Sequence, residues 1–303
     1  MNLKSRHFLY ATQEDIDNPL ELSKNPNNIK VVNLGDSFFY PPKHLQEGLE
    51  SVLVFSENTK KRDIPSGSVW RYSDADYKPE ILRDDVGCGI TLYLMQKGVT
   101  PEDVLKVGSQ YSFGGGNHFL NKGSFDEKLD YLMLHSDLNS QKKIPKSTSE
   151  AQSQVSTATS KRRELIEKMI NELETRADFF MDWPHNHIDT SGEKTIYMKG
   201  VVDTKKTEGI GLLALTPHDG CALYVQGSEV LNGYMQHGIG VKNHEYLKEY
   251  SSVNNSKHRY YIPKDDPLVR ESFNSMRAFG KKFYPRATFV ERYLSPEITI
   301  RSR

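Results

Sequence analysis

The strongest constraint on the fold of this chain is where it keeps its candidate metal-ligand side chains. Asp85 and Cys88 stand in D-D-V-G-C-G-I, His118 in G-G-G-N-H-F-L, His135 in L-H-S and His185 in P-H-N-H. The run G-I-T-L-Y-L-M at residues 89–95 alternates and predicts a buried strand, which puts Asp85 and Cys88 on the turn that enters it. The Val-Gly between them permits that turn to be tight. The stretch between His118 and His135 is long enough for one return strand, so the two imidazoles can meet without a long crossover. His185 and His187 are two residues apart and share a face if they lie on a strand. The fold must therefore bring the ends of several strands together. Thiolate, imidazole and carboxylate in one place suit a borderline-soft divalent ion, and a thiolate can bridge two.

Each motif also has a plainer reading. A buried cysteine is usually an inert small hydrophobe, the glycines before His118 can simply turn the chain into a strand, and His135 can be a core histidine. Cys221 lacks ligand company and reads as core. His7, His44, His218, His244 and His258 stand in no supporting motif. His237, in Q-H-G-I-G, lies beside Gly238 and Gly240, where small residues admit a phosphate closely.

Composition narrows the function class. Lys plus Arg and Asp plus Glu are both 40, so no whole-molecule field draws the chain to a polyanion, and any nucleic-acid surface must be a local patch. Two cysteines are too few for a disulfide framework, and the opening M-N-L-K-S-R-H is not the apolar run of a signal peptide. No stretch has the length of apolar residues that crosses a bilayer. These features predict a soluble, cytoplasmic protein without a membrane partner.

Along the chain, residues 29–34 and 52–55 read as strands. Pro41, Pro42 and residues 66–68 read as loop punctuation. Thr100-Pro-Glu-Asp opens like a capped helix. Residues 142–159, rich in Ser, Thr, Gln and Lys, predict a mobile polar segment spanning about 139–160. An amphipathic helix is expected over 160–180, where Leu165, Ile166, Met169, Ile170 and Leu173 share a stripe. Lys142, Lys143, Lys146, Lys161, Arg162 and Arg163 flank the polar segment and are candidates for gripping RNA phosphates. Further on, 212–214 and 222–225 read as strands, 267–282 as a helix, and 289–300 as a final strand. No composition shift marks a boundary, so one α+β domain is expected.

Taken in order, the motifs resemble those of the RtcB-type RNA ligases. The family's D-x-x-C-G is matched by Asp85, Cys88 and Gly89, and its G-x-G-N-H-F by Gly114, Gly116, Asn117, His118 and Phe119. Its L-H-S is matched by Leu134, His135 and Ser136, its H-N by His185 and Asn186, and its H-G-x-G by His237, Gly238 and Gly240. The resemblance implies a single RtcB-like catalytic domain over residues 1–303, with mixed sheets around a central metal cleft. It implies two manganese ions, zinc or cobalt being compatible with the same donors. Cys88 would bridge them, His118 and His135 would complete one shell, and Asp85 with His185 the other. His237 would attack the α-phosphate of GTP to give a guanylyl-histidine. The guanylate would then activate an RNA 3′-phosphate, itself supplied from a 2′,3′-cyclic phosphate where necessary, for joining to a 5′-hydroxyl end. Asn117, Lys199, Asp219, Gly238 and Gly240 would contact nucleotide or phosphate.

The chain departs from the family pattern at three places. Asn121 stands where the family has a guanine-contacting glutamate, H-S-G-S-R has become H-S-D-L-N at residues 135–139, and Val241 replaces an arginine. These changes predict a weakened preference for GTP over ATP. They also leave two alternatives open: a divergent metal-dependent phosphoesterase or nucleotidyltransferase, and an inactive RNA-binding relative.

Overall fold

Short apolar runs, buried along most of their length, build the central strands of the computed structural model. It describes residues 29–33, 39, 41–61, 64–73, 76–83, 85–114, 118–138 and 143–203, and the strand segments 212–215, 221–225, 234–236, 239–240, 290–293 and 295–300. In chain order the strands are β1 (Lys30–Asn33), β2 (Leu49–Lys61), β3 (Ile64–Tyr72), β4 (Gly89–Gln96), β5 (Phe119–Ser124), β6 (Leu129–Ser136), β7 (Ala177–Pro184), β8 (Asn186–Asp189) and β9 (Thr195–Lys199). They continue as β10 (Val201–Asp203), β11 (Leu212–Leu215), β12 (Cys221–Val225), β13 (Tyr234–Gln236), β14 (Ile239–Gly240), β15 (Val290–Tyr293) and β16 (Ser295–Ile300). The α-helices among the described residues are α1 (Pro79–Leu82), α2 (Pro101–Gly108) and α3 (Thr148–Glu172).

The architecture is α+β, with two five-stranded sheets. One is mixed, in the order β1-β2-β3-β9-β8, its single parallel pair being β1 with β2. The other is antiparallel, in the order β16-β5-β6-β4-β7. The described residues also form a four-stranded sheet, β14-β12-β11-β15, and a pair, β10 with β13.

Strand periodicity sorts the antiparallel sheet into two apolar faces. Ile90, Leu92, Phe119, Met133, Met181 and Trp183 form one cluster. Tyr93, Met95, Leu120, Leu132 and Leu134 pack on the opposite side with Ile166, Met169 and Ile170 of α3. The first part of α3 belongs to a different core, where Ala151 joins Val52, Val54, Trp70, Tyr72 and Tyr197 of the mixed sheet. One helix thus packs against both sheets, and no helix among the described residues is long and apolar enough to cross a membrane.

Several local expectations are met. Thr100 caps α2 with a reciprocal capping box, its hydroxyl accepting from the Asp103 amide while the Asp103 carboxylate accepts from the Thr100 amide, and Pro101 sits in the first turn. β1, β2, β11 and β12 cover the expected early and late strands, and residues 289–300 hold two strands, β15 and β16, in place of one. The helix expected over 267–282 lies outside the described residues.

Three expectations are corrected. The polar stretch expected as a loop becomes helix at Thr148, where the Ser147 hydroxyl accepts from the Glu150 amide and caps α3. Small and long side chains at 151, 158, 162, 166 and 169 give α3 a buried stripe that polar composition conceals. The helix expected to reach residue 180 ends at Glu172. Beyond it Glu174 takes φ +52°, and Ala177 begins the strand that pairs with β4. Residues 66–68, expected in a loop, lie inside β3, where the Trp70 indole N–H donates to the buried Ser68 hydroxyl at 2.9 Å. Gly67 at φ +74° and Gly200 at φ +64° let two backbone segments approach closely, since a Cβ on Gly200 would stand 2.9 Å from the Gly67 amide nitrogen.

Candidate metal centre

Four neighbouring strands of the antiparallel sheet each bring one candidate ligand to the same end. His118 immediately precedes β5, His135 lies near the end of β6, Cys88 precedes β4, and His185 follows β7. The registers fix this alignment: Phe119 pairs with His135, Ile90 with His135, and Gly89 with Ser136 and Pro184. His135 and Ile90 share a row, and Cys88 lies two residues before Ile90. Alternation therefore turns thiol and imidazole toward the same side.

The backbone ties the cluster across to the mixed sheet. The His185 amide donates to the Cys88 carbonyl at 3.0 Å, and the Gly87 amide to the Asn186 carbonyl at 3.0 Å. Asn186 opens β8, and its side-chain oxygen accepts from the Gly200 amide at 2.7 Å. The centre therefore sits where the chain passes from the last strand of one sheet into the other.

Cys88, His135 and His185 are buried, and their ligand atoms all lie within 4.8 Å of one another. Cys88 Sγ is 3.4 Å from His135 Nε2 and 3.7 Å from His118 Nε2. An ion held tetrahedrally at about 2.3 Å from sulfur and 2.0–2.1 Å from nitrogen sets those donors roughly 3.5 Å apart. The Cys88–His135 and Cys88–His118 separations are close to that value, and the Cys88, His135 and His185 group could hold one divalent ion. His118 packs edge-on against His135 with ring centroids 5.3 Å apart, and His135 lies 5.4 Å from His185.

The resemblance implies one shell of His118 with His135 and another of Asp85 with His185 about a bridging Cys88. His118 and His135 both approach the Cys88 thiol, and the His135 ring lies about as close to His118 as to His185. Asp85 is only half-buried, and its carboxylate lies 4.0 Å from the ammonium of Lys199. Lys199 is buried at the end of β9 and donates to the Ile81 carbonyl at 3.0 Å. The Cys88 amide donates to the Asp85 carbonyl at 3.2 Å, which closes the turn between the two residues. Asn117, Asp219, His237 and Gly238 lie outside the described residues. Gly240 ends β14, paired with Cys221 of β12.

Two groups around the centre were not legible as part of it. Asp137 is buried, and its carboxylate lies 4.0 Å from His118 Nδ1. Gly114, at φ +89°, leaves room for both, because a Cβ there would stand 2.6 Å from His118 Nδ1 and 3.3 Å from the Asp137 carboxylate. Arg162, expected at a basic surface, is fully buried. Burial lowers its pKa from the ordinary arginine value, while the negative charges of Asp182, Cys88 and Asp137 act in the opposite sense. Arg162 is therefore not available to RNA phosphates. Arg163 is exposed but pairs with Asp182 and lies over the Phe179 ring at 4.3 Å.

No protein-family model matches the chain. No curated protein matches it either.

Proposed function

We propose that this protein is a metal-dependent RNA end-joining enzyme of the RtcB type. It would join 3′-phosphate or 2′,3′-cyclic phosphate ends to 5′-hydroxyl ends through a nucleotidyl adduct on His237. The observation that carries the proposal is the convergence of Cys88, His118, His135 and His185 from four adjacent strand ends, with Asp85 and Lys199 beside them. Cys88, His135 and His185 would hold one ion, and His118 with Asp85 would serve a second that shares the thiolate. A bound divalent ion supplies Lewis-acid neutralisation of charge on a phosphoryl oxygen. His237, with small neighbours, is the nucleophile in this reading. Manganese follows from the resemblance, and the donors suit zinc and cobalt as well.

A second reading, a metal-dependent phosphoesterase acting on cyclic phosphate ends, is favoured by one observation. Asn121, which stands in the place of the family's guanine contact, is fully buried in β5, and its side-chain oxygen accepts from the Tyr131 hydroxyl at 2.9 Å. A side chain buried inside the sheet is poorly placed to read a base.

Incubation with manganese and GTP or ATP labelled at the α-phosphate separates the readings. Ligation requires label trapped on the protein and lost in His237→Ala. Opening of a cyclic phosphate end without any label supports the phosphoesterase. Neither outcome leaves an RNA-binding relative, tested by retention of end-labelled RNA.

A further inference from the structure

Buried guanidinium groups normally meet a carboxylate. Arg162 makes its hydrogen bonds to neutral acceptors. One terminal nitrogen donates to two backbone carbonyls, that of Gly87 at 2.6 Å and that of Ser136 at 2.9 Å. Its Nε–H donates to the Thr91 hydroxyl at 3.3 Å, and the other terminal nitrogen to the Thr159 hydroxyl at 3.0 Å. Gly87 immediately precedes Cys88, and Ser136 immediately follows His135.

We propose that Arg162 is the positioning residue of the metal centre: its guanidinium fastens the Cys88 turn to the end of β6 and so sets the spacing of thiol and imidazole. The inference rests on the reading of Cys88, His135 and His185 as metal ligands. It does not depend on which reaction the metal serves.

The glycines flanking Cys88 support it beyond the hydrogen bonds. Gly87 sits at φ +85°, a backbone conformation that glycine adopts freely and other residues rarely do. A Cβ at Gly87 would stand 2.8 Å from Ala158 Cβ, and one at Gly89 would stand 2.7 Å from the Arg162 guanidinium. The glycines on both sides of Cys88 are therefore the residues that let α3 and its arginine reach the turn.

Ala158 and Ile166, one helical turn to either side of Arg162, are buried as well and help to seat α3. A lysine at 162 keeps the charge, but its single ammonium cannot also reach the Thr91 and Thr159 hydroxyls that fix the plane of the guanidinium against the two carbonyls.

The test is a cobalt(II) titration of the full chain, read by the thiolate-to-cobalt absorption and by competition with a chelator of known affinity. Wild type, Arg162→Lys and Ile166→Ala are compared, with thermal unfolding of each. Ile166→Ala removes packing on the same helix without touching either carbonyl and should lower the melting temperature while leaving cobalt affinity within about twofold of wild type. Arg162→Lys should weaken cobalt at least about tenfold, as loss of a group behind a ligand does. Equal affinity in Arg162→Lys and wild type would overturn the positioning role while leaving the metal reading intact. Absence of any thiolate-to-cobalt absorption in wild type would overturn both. Should Arg162→Lys fail to fold, Thr159→Val decides. It withdraws one support from the guanidinium and should weaken cobalt several-fold, and unchanged affinity there would overturn the role.

Discussion

The amide of His185 donates to the carbonyl of Cys88 at 3.0 Å, so a thiol and an imidazole that stand far apart in sequence are joined through their own backbones. Ligands held this way keep their places when one side chain is trimmed. His185→Ala should retain the fold, with the same far-ultraviolet circular dichroism as wild type. Its affinity for zinc should fall beyond the roughly 10–100-fold that follows loss of a group behind a ligand. Isothermal titration with zinc checks this, and undiminished affinity would remove His185 from the centre.

Gly114 offers a test of the His118 side. Alanine there must adopt a left-handed backbone and place its Cβ against His118 Nδ1. The strain should cost about 1–3 kcal/mol in urea unfolding. It should also push His118 away from Cys88, so that a second ion is lost while the first is retained. Metal counting by elemental analysis reads the second effect, and two ions retained in Gly114→Ala would contradict it.

Much of this arrangement was legible from sequence, and the reasons are specific. Alternation after Cys88 marked β4, and the spacing of His118 and His135 marked the β5–β6 hairpin, because a strand period of two is visible in a short apolar run. The α3 boundary was not legible, since Ser, Thr and Gln on its outer face masked the buried stripe of Ala151, Ala158 and Ile166. Arg162 falls on that same stripe, four residues from Ala158 and four from Ile166. Helical spacing carried the signal, whereas charge alone suggested a surface. The gathering of His118, His135 and His185 around Cys88 depends on strand order in the sheet, and no local pattern encodes that order.

The α2 cap makes a pH prediction. Hydrogen bonds from Thr100 hold the Asp103 carboxyl below its ordinary range. A depressed folded-state pKa means that this contribution is present above the carboxylate's unfolded pKa and is lost as pH falls through the lower, folded value. Thr100→Ala should therefore destabilise the protein more at neutral pH than in acid. Urea unfolding at both conditions checks it, and an equal difference at the two would contradict the carboxylate's part in the cap.

Core packing behind the centre should affect stability without touching metal chemistry. Leu92 is fully buried on the face that carries Ile90, Phe119 and Trp183. Leu92→Ala should cost about 2–5 kcal/mol in urea unfolding. Zinc binding by the folded fraction should be unchanged, so a parallel loss of intrinsic affinity would show that the strand ends are not held independently of this layer.

The most direct test of the central claim, that Cys88, His135 and His185 form a metal site, is the near-ultraviolet spectrum of the cobalt-loaded protein. Wild type should develop a thiolate-to-cobalt charge-transfer band that saturates at stoichiometric metal, and Cys88→Ser should lose that band while keeping the fold. A wild-type protein that shows no such band, or a Cys88→Ser protein that keeps it, would contradict the claim.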